Sequence, residues 1–204
     1  TCAWWLGSEG TLFALYITVF VCAAWRLLDR RQESRMSDVV SSTFTAVYVP
    51  FLASFVVLML AAWRDPWVFV VFELMVIAND TGGWAAGVLF GKHPMAPALS
   101  PKKSWEGFAG SALTAVGVGC VGLWLLGAAW WWGIVAGVSI AFVGTMGDLT
   151  ESLIKRESGL KDMSQILPGH GGVLDRVDAL LMSAPVAYFI FAWALPGISW
   201  ESSH

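Results

Sequence analysis

Six apolar runs, each close to the length a helix needs to cross hydrocarbon, follow one another through a chain of 204 residues. A span takes about 20 residues at a rise of about 1.5 Å each. The runs lie near Thr11–Leu28, Phe44–Trp63, Trp67–Phe90, Gly107–Leu126, Ala129–Gly147 and Val177–Leu195. Charged residues make up only 13% of the chain, against about a quarter in a soluble domain, so most of its surface is not built to face water. The sequence has no series of segments of about 10 residues with strict apolar–polar alternation, as a membrane barrel requires, and helices are the other way to pair every backbone group in lipid. The expected fold is all-α and polytopic, with about six transmembrane helices in this chain and a single transmembrane domain over residues 1–204.

Basic residues orient such a bundle because they are retained on the cytoplasmic side. Arg26, Arg30, Arg31 and Arg35 accompany the end of the first run, Lys92, Lys102 and Lys103 follow the third, and Lys155, Arg156, Lys161 and Arg176 follow the fifth. Of the 12 basic residues only Arg64 falls on the other side. The opposite turns carry Trp63, Trp67, Trp130, Trp131 and Trp132, rings suited to a membrane interface. The three basic loops are therefore expected in the cytoplasm and both termini outside it. Cys2, Cys22 and Cys120 are too few and too scattered for a disulfide framework or a thiolate metal site, and read as small buried residues. No basic segment precedes the first apolar run, so no signal peptide is read and the start of the chain is expected to be trimmed.

An ionisable group inside a span costs on the order of a few kcal/mol unless it faces protein, water or an ion. Glu73 and Asp80 are seven residues apart, two turns along one helix face. Asp80 falls in the cytoplasmic half of the third run, just before TGGWAAG, whose Gly82, Gly83 and Gly87 allow either close helix approach or a broken helix. Glu73 reads as a polar helix–helix contact. Past the fifth run, GDLTESLIKR continued as a helix places Asp148, Glu151, Ser152 and Lys155 on one stripe with Arg156 beside it. Glu157 and Lys161 read as solvated charges of an amphipathic segment.

In LPGHGGVLDRVD, the residues Pro168, Gly169, Gly171 and Gly172 oppose a helix and can present backbone N–H groups to an anion, ahead of a helix starting near Val173. Asp175 and Asp178 then share a face of its first turns, and oxygen ligands of this kind suit Mg2+, whose other positions go to water and substrate phosphates. His170 is open to three roles: N-cap partner, phosphate contact or metal ligand. Zinc is not expected, because no Cys or second His stands beside it. In SPKKSWEG, Lys102 and Lys103 sit in a Pro-bracketed loop and Ser104 ahead of Gly107 reads as a helix start. Acidic groups, two lysine-bearing segments and a glycine-rich turn thus converge on one cytoplasmic face, the set needed to bind a metal–polyphosphate beside lipid.

Residues 152–178 resemble the signature S-x-x-K-R-x-x-x-x-K-D-x-x-x-x-x-P-G-H-G-G-x-x-D-R-x-D of the phosphatidate cytidylyltransferase (CDP-diacylglycerol synthase) family. Ser152, Lys155, Arg156, Lys161, Asp162, Pro168 through Gly172, Asp175, Arg176 and Asp178 all fit it. Upstream, NDTGGWAAGVLFGKHPMAPALSPKKSWEG is similar to the family's second block, so the resemblance runs from about Asn79 to Ala187. Family members carry more N-terminal membrane helices, and such helices are expected to be missing here. The resemblance implies transfer of a cytidylyl group from CTP to phosphatidic acid, giving CDP-diacylglycerol and pyrophosphate for phospholipid synthesis. It implies Asp148, Lys155 and Asp175 as catalytic residues. It implies Asp148, Asp175 and Asp178, with Asp80 nearby, as a site for Mg2+ and for a second ion that the sequence does not identify. The substrate-binding set it implies is Asp80, Lys102, Lys103, Ser104, Ser152, Arg156, Lys161, His170, Gly171, Gly172 and Arg176. A homodimer in the bacterial inner membrane, its site facing the cytoplasm, completes the expectation, with no nucleic-acid partner.

Other classes fit part of the pattern. A CTP-dependent lipid kinase would direct similar metal chemistry at the γ-phosphorus and release CDP, and a CDP-archaeol synthase would differ only in its lipid. An ion channel or transporter would place Asp80 and Glu73 on a membrane path, but a cluster that is basic as well as acidic suits a polyphosphate better than a pore.

Overall fold

The computed structural model describes residues 2–28, 36–97, 100–158 and 174–195. Among these residues six helices form: α1 (Cys2–Leu28), α2 (Met36–Trp63), α3 (Pro66–Phe90), α4 (Trp105–Leu125), α5 (Trp132–Ser158) and α6 (Leu174–Ala194). A two-stranded antiparallel hairpin, β1 (Pro94–Ala96) and β2 (Ser100–Ser104), connects α3 to α4. The all-α expectation holds, and the hairpin falls where the sequence reads only as a Pro-bracketed loop. Each of the six apolar runs corresponds to one helix, although α2 starts at Met36 rather than Phe44 and α5 continues through Ser158.

Among the described residues three helical stretches are long and apolar enough to cross a membrane: Pro66–Phe90, Trp105–Leu125 and Trp132–Thr150. The protein is an integral membrane protein. Glu9–Trp25, Pro50–Trp63 and Ala179–Ala194 are shorter apolar helical stretches. The chain divides into two compact units, one holding α1 packed on α2 and the other, Asp65–Ile198, holding α3 to α6 with the hairpin.

In the second unit the helix starts are written locally. The Asp65 carboxylate accepts from the Trp67 N–H at 3.0 Å, and Pro66 takes the first helical position of α3, where a missing N–H costs no hydrogen bond. The Ser104 hydroxyl accepts from the Gly107 N–H at 3.1 Å and so caps α4, as the sequence leads one to expect.

Helices α3 and α4 run antiparallel along a seam of small residues. Gly82 lies against Gly110 and Thr114, and Gly83 against Gly107 and Ser111. The Ser111 and Thr114 hydroxyls donate to the carbonyls of Asn79 and Ala78, both at 2.7 Å. A side chain at either glycine would overlap these groups, so the glycines serve close approach and α3 runs unbroken. Helix α5 packs on α4, and α6 packs on α5 beside Gly144. Phe72, Met75, Leu123, Ile140 and Phe191 are fully buried, whereas Trp84, Val88, Leu113, Trp124 and Trp193 are exposed, the apolar exterior that lipid asks of a bundle.

Candidate functional site

A cavity of about 420 Å³ opens among the C-terminal half of α3, the junction of β2 with α4, and α5 just past Gly144. Asp80 from α3, Lys103 and Ser104 from β2, and Asp148 from α5 line it. Four residues expected from the sequence to form a site are therefore brought together from three separate segments. The cavity is at the opposite end of this unit from Trp67, Trp130 and Trp131, which stand exposed where α3 begins and where α4 gives way to α5.

The position of Lys103 is set by the hairpin, and the hairpin is held by Glu106 in the first turn of α4. One Glu106 carboxylate oxygen accepts from the backbone N–H groups of Lys92 and His93, both at 3.2 Å. The other oxygen lies 2.6 Å from His93 Nδ1. The Trp105 N–H closes the same turn by donating to the His93 carbonyl at 3.0 Å. This clasp joins the residues that lead into β1 to the helix that follows β2, and so fixes the height at which Lys103 leaves the strand.

Lys103 Nζ donates to Asp148 Oδ2 in an ion pair, with both side chains partly exposed. Asp148 is available to it because α5 continues as a helix past its apolar stretch. On α3, the Asn79 Nδ2 donates to Asp80 Oδ1 at 3.1 Å, and Asp80 lies within electrostatic reach of Asp148 and Lys103. Two carboxylates face one ammonium, so the described part of the cavity keeps a net negative charge. That balance and the oxygen donors suit a hard divalent cation such as Mg2+ better than a soft metal. Among the described residues no group of three or more His, Cys, Asp and Glu side chains gathers, so a third carboxylate would have to come from elsewhere.

The remaining expected residues fall as follows. Ser152 lies one turn beyond Asp148, its hydroxyl donating to the Asp148 carbonyl at 2.9 Å, and it does not line the cavity; nor does Glu73. Lys155 and Arg156 continue along α5, Asp175, Arg176 and Asp178 occupy the first turns of α6, and Lys102 is in β2; for these the helix or strand is described but the side chains are not. Lys161, Asp162, His170, Gly171 and Gly172 lie outside the described residues. Helix α6 begins at Leu174, next to the start expected near Val173.

Asn79, Trp84, Met95, Phe108 and Thr145 also line the cavity, and none of them is singled out by the sequence reading. For Asn79 the available signal was its place immediately before Asp80 inside an apolar run. Trp84 and Phe108 read as ordinary span residues, yet they add apolar surface to the cavity that holds these charges.

Comparison with known proteins adds a consistent picture. The model described as the cytidylyltransferase family matches residues 3–194. A phosphatidate cytidylyltransferase of Mycobacterium bovis is 42% identical over 201 residues, covering 92% of this chain and 65% of its own length. The phosphatidate cytidylyltransferase of Mycobacterium leprae is 38% identical over 201 residues, covering 91% of this chain and 64% of its own length. One from Haemophilus influenzae is 40% identical over 155 residues, covering 70% of this chain and 54% of its own length. The chain thus spans less than two thirds of the length of each of these relatives.

Proposed function

The chain belongs to the cytidylyltransferase family, and from that premise we propose that it transfers the cytidylyl group of CTP to phosphatidic acid, releasing pyrophosphate. The observation that carries the reading is the meeting of Asp80, Lys103 and Asp148 in one cavity at the charged end of an otherwise apolar helical unit. In the reaction an oxygen of the phosphatidic acid phosphate bonds to the α-phosphorus of CTP while the α–β phosphoanhydride bond breaks. The phosphate monoester has a second pKa of about 6, so near neutral pH it is already largely ionised and needs no strong protein base. The requirement is to bring two anions together. Lys103, with Lys102, Lys155 and Arg156 from neighbouring segments, neutralises and aligns phosphate oxygens. The N-terminus of α4, capped by Ser104 on the cavity wall, adds the positive end of a helix dipole.

Asp148, Asp175 and Asp178, with Asp80 close by, would hold Mg2+, which when bound supplies charge neutralisation at the phosphates. Support comes from the net negative cavity and from helix register. Gly144 of α5 meets Ala179 of α6, and if α6 runs back along α5, Asp175, four residues before Ala179, comes level with Asp148, four residues after Gly144. The acyl chains would stay in the bilayer along the flank of Trp84 and Phe108. The same reading places six helices across the membrane, both termini outside the cytoplasm, and the site on the cytoplasmic face of a bacterial inner membrane, in a homodimer. The separation of Lys92 and Lys103 from Trp67, Trp130 and Trp131 supports that orientation.

The test is an assay of the full chain in phosphatidic acid-containing vesicles with labelled CTP, with and without Mg2+. CDP-diacylglycerol and pyrophosphate in equal amounts, dependent on Mg2+, are expected. Release of CDP with a phosphorylated lipid would replace this reading by a lipid kinase, and the absence of any labelled lipid would overturn it.

A further inference from the structure

Asn79 is only 5% exposed, although it is an amide in a membrane helix. Its Nδ2 donates to Asp80 Oδ1 at 3.1 Å, and since a carboxylate can only accept, the amide is oriented with its nitrogen toward Asp80. Its Oδ1 is buried with no hydrogen-bond partner among the described residues. A buried unpaired acceptor is unfavourable, so stability alone would be better served by an apolar residue of similar size. The backbone beneath it is fixed as well, because the Ser111 hydroxyl donates to the Asn79 carbonyl at 2.7 Å.

The amide has room because α5 carries glycine opposite it. A Cβ at Gly144 would lie 3.3 Å from Asn79 Nδ2, closer than a packed side chain tolerates without something yielding. It would lie at ordinary distances from its other neighbours, 3.8 Å from Ser183 Oγ and 3.9 Å from the Ala179 Cβ. The glycine therefore spares the amide in particular. We infer that Asn79 is a positioning residue: seated in the notch left by Gly144, its amide N–H holds one oxygen of Asp80 and turns the carboxylate into the cavity shared with Lys103 and Asp148. Asn79 touches no substrate in this scheme; it acts through Asp80. The kinetic part of the inference rests on the proposed cytidylyl transfer, and the structural part does not.

The experiment compares Asn79→Leu, which keeps the branching of the side chain but removes the donor, and Gly144→Ala, each with Asp80 intact and with Asp80→Ala. With Asp80 intact, Asn79→Leu is expected to lower kcat about 10-fold with KM for phosphatidic acid unchanged, the loss of one hydrogen bond to a charged group. Gly144→Ala should lower kcat in the same direction although alanine favours the helix. In the Asp80→Ala background neither change should cost more than about 2-fold, since coupled residues do not add. Apparent Tm gives a readout independent of catalysis. Asn79→Leu should raise Tm once Asp80→Ala has removed the acceptor, and should not raise it while Asp80 is present. Equal Tm shifts in both backgrounds, or equal losses of kcat in both, would overturn the inference. If Asn79→Leu does not fold, Gly144→Ala carries both comparisons. If the wild type forms no CDP-diacylglycerol, the proposed reaction falls while the Tm comparison still decides the coupling.

Discussion

Lys103 and Asp148, 45 positions apart in the chain, form one ion pair that joins the hairpin to α5. Removing either partner leaves a charge uncompensated at the edge of the membrane, whereas replacing both by apolar groups does not. Under the proposed cytidylyl transfer, Lys103→Ala is expected to reduce CDP-diacylglycerol formation by about 10- to 100-fold through loss of a charge-assisted phosphate contact, and Asp148→Asn to reduce it at least as far through loss of an oxygen ligand for Mg2+. The double variant Lys103→Met with Asp148→Leu should match or exceed the wild-type Tm and remain inactive. Turnover restored in that double variant would mean that the pair holds the fold and does no more.

Glu106 makes a different forecast, because it faces the hairpin rather than the cavity. Its carboxylate is the acceptor for the Lys92 and His93 N–H groups. In Glu106→Ala those two amides should exchange with solvent at least about 10-fold faster, as expected when a local hydrogen-bonded turn opens more often. Lys103 would then be presented less firmly, so KM for CTP should rise several-fold while kcat changes little. Hydrogen-exchange mass spectrometry of the segment joining α3 to β1 reads the first effect, and unchanged exchange there would remove the clasp from the account.

The parts of the fold legible in the sequence are those governed by short-range rules. Apolar length gave the helices, Ser104 three residues before Gly107 gave the start of α4, and the spacing of Asp148 from Lys155 gave the continuation of α5. The glycines after Asp80 left two outcomes open, and only the facing residues Gly107, Gly110, Ser111 and Thr114 decide for close approach. The hairpin was not legible because three residues of β1 are too few to show a period, and its anchor is a Glu106 contact across 13 and 14 positions. Asp80 and Asp148 were found because charge in or at the end of a span demands a reason, and Lys103 and Ser104 because SPKKSWEG pairs two lysines with a helix start. Asn79 was missed because a neutral amide does not, and its burial against α4 and α5 is a property of packing alone.

The glycines of α4 and its partner divide into two kinds with opposite expected effects. A Cβ at Gly117 would meet nothing within 4 Å, whereas one at Gly82 would lie 2.6 Å from Thr114 Cγ2 and 2.8 Å from the Gly110 carbonyl oxygen. Gly117→Ala should therefore stabilise by up to about 1 kcal/mol, the ordinary helix preference for alanine. Gly82→Ala should lower Tm despite the same preference, because α3 must move off α4. Thermal unfolding in one detergent decides this, and a stabilising Gly82→Ala would show that the seam is looser than described.

The charged residues that end α5 and open α6 should separate metal from phosphate binding. Lys155 and Arg156 continue the helix that carries Asp148, while Asp175 opens the helix that packs against it. If the two cations hold polyphosphate, Lys155→Ala or Arg156→Ala removes a contact to ionised oxygens, and use of CTP should fall by about 10- to 100-fold with the Mg2+ requirement little changed. Asp175→Ala removes an oxygen ligand and leaves the anion contacts, so its activity should fall and be partly restored by raised Mg2+. Glu157→Ala, a solvated charge by the sequence reading, should be nearly silent. Separate titrations of CTP and Mg2+ for these four variants test the division. Rescue of Lys155→Ala by Mg2+ rather than by CTP, or damage from Glu157→Ala equal to that from Asp175→Ala, would reverse the assignment of this segment.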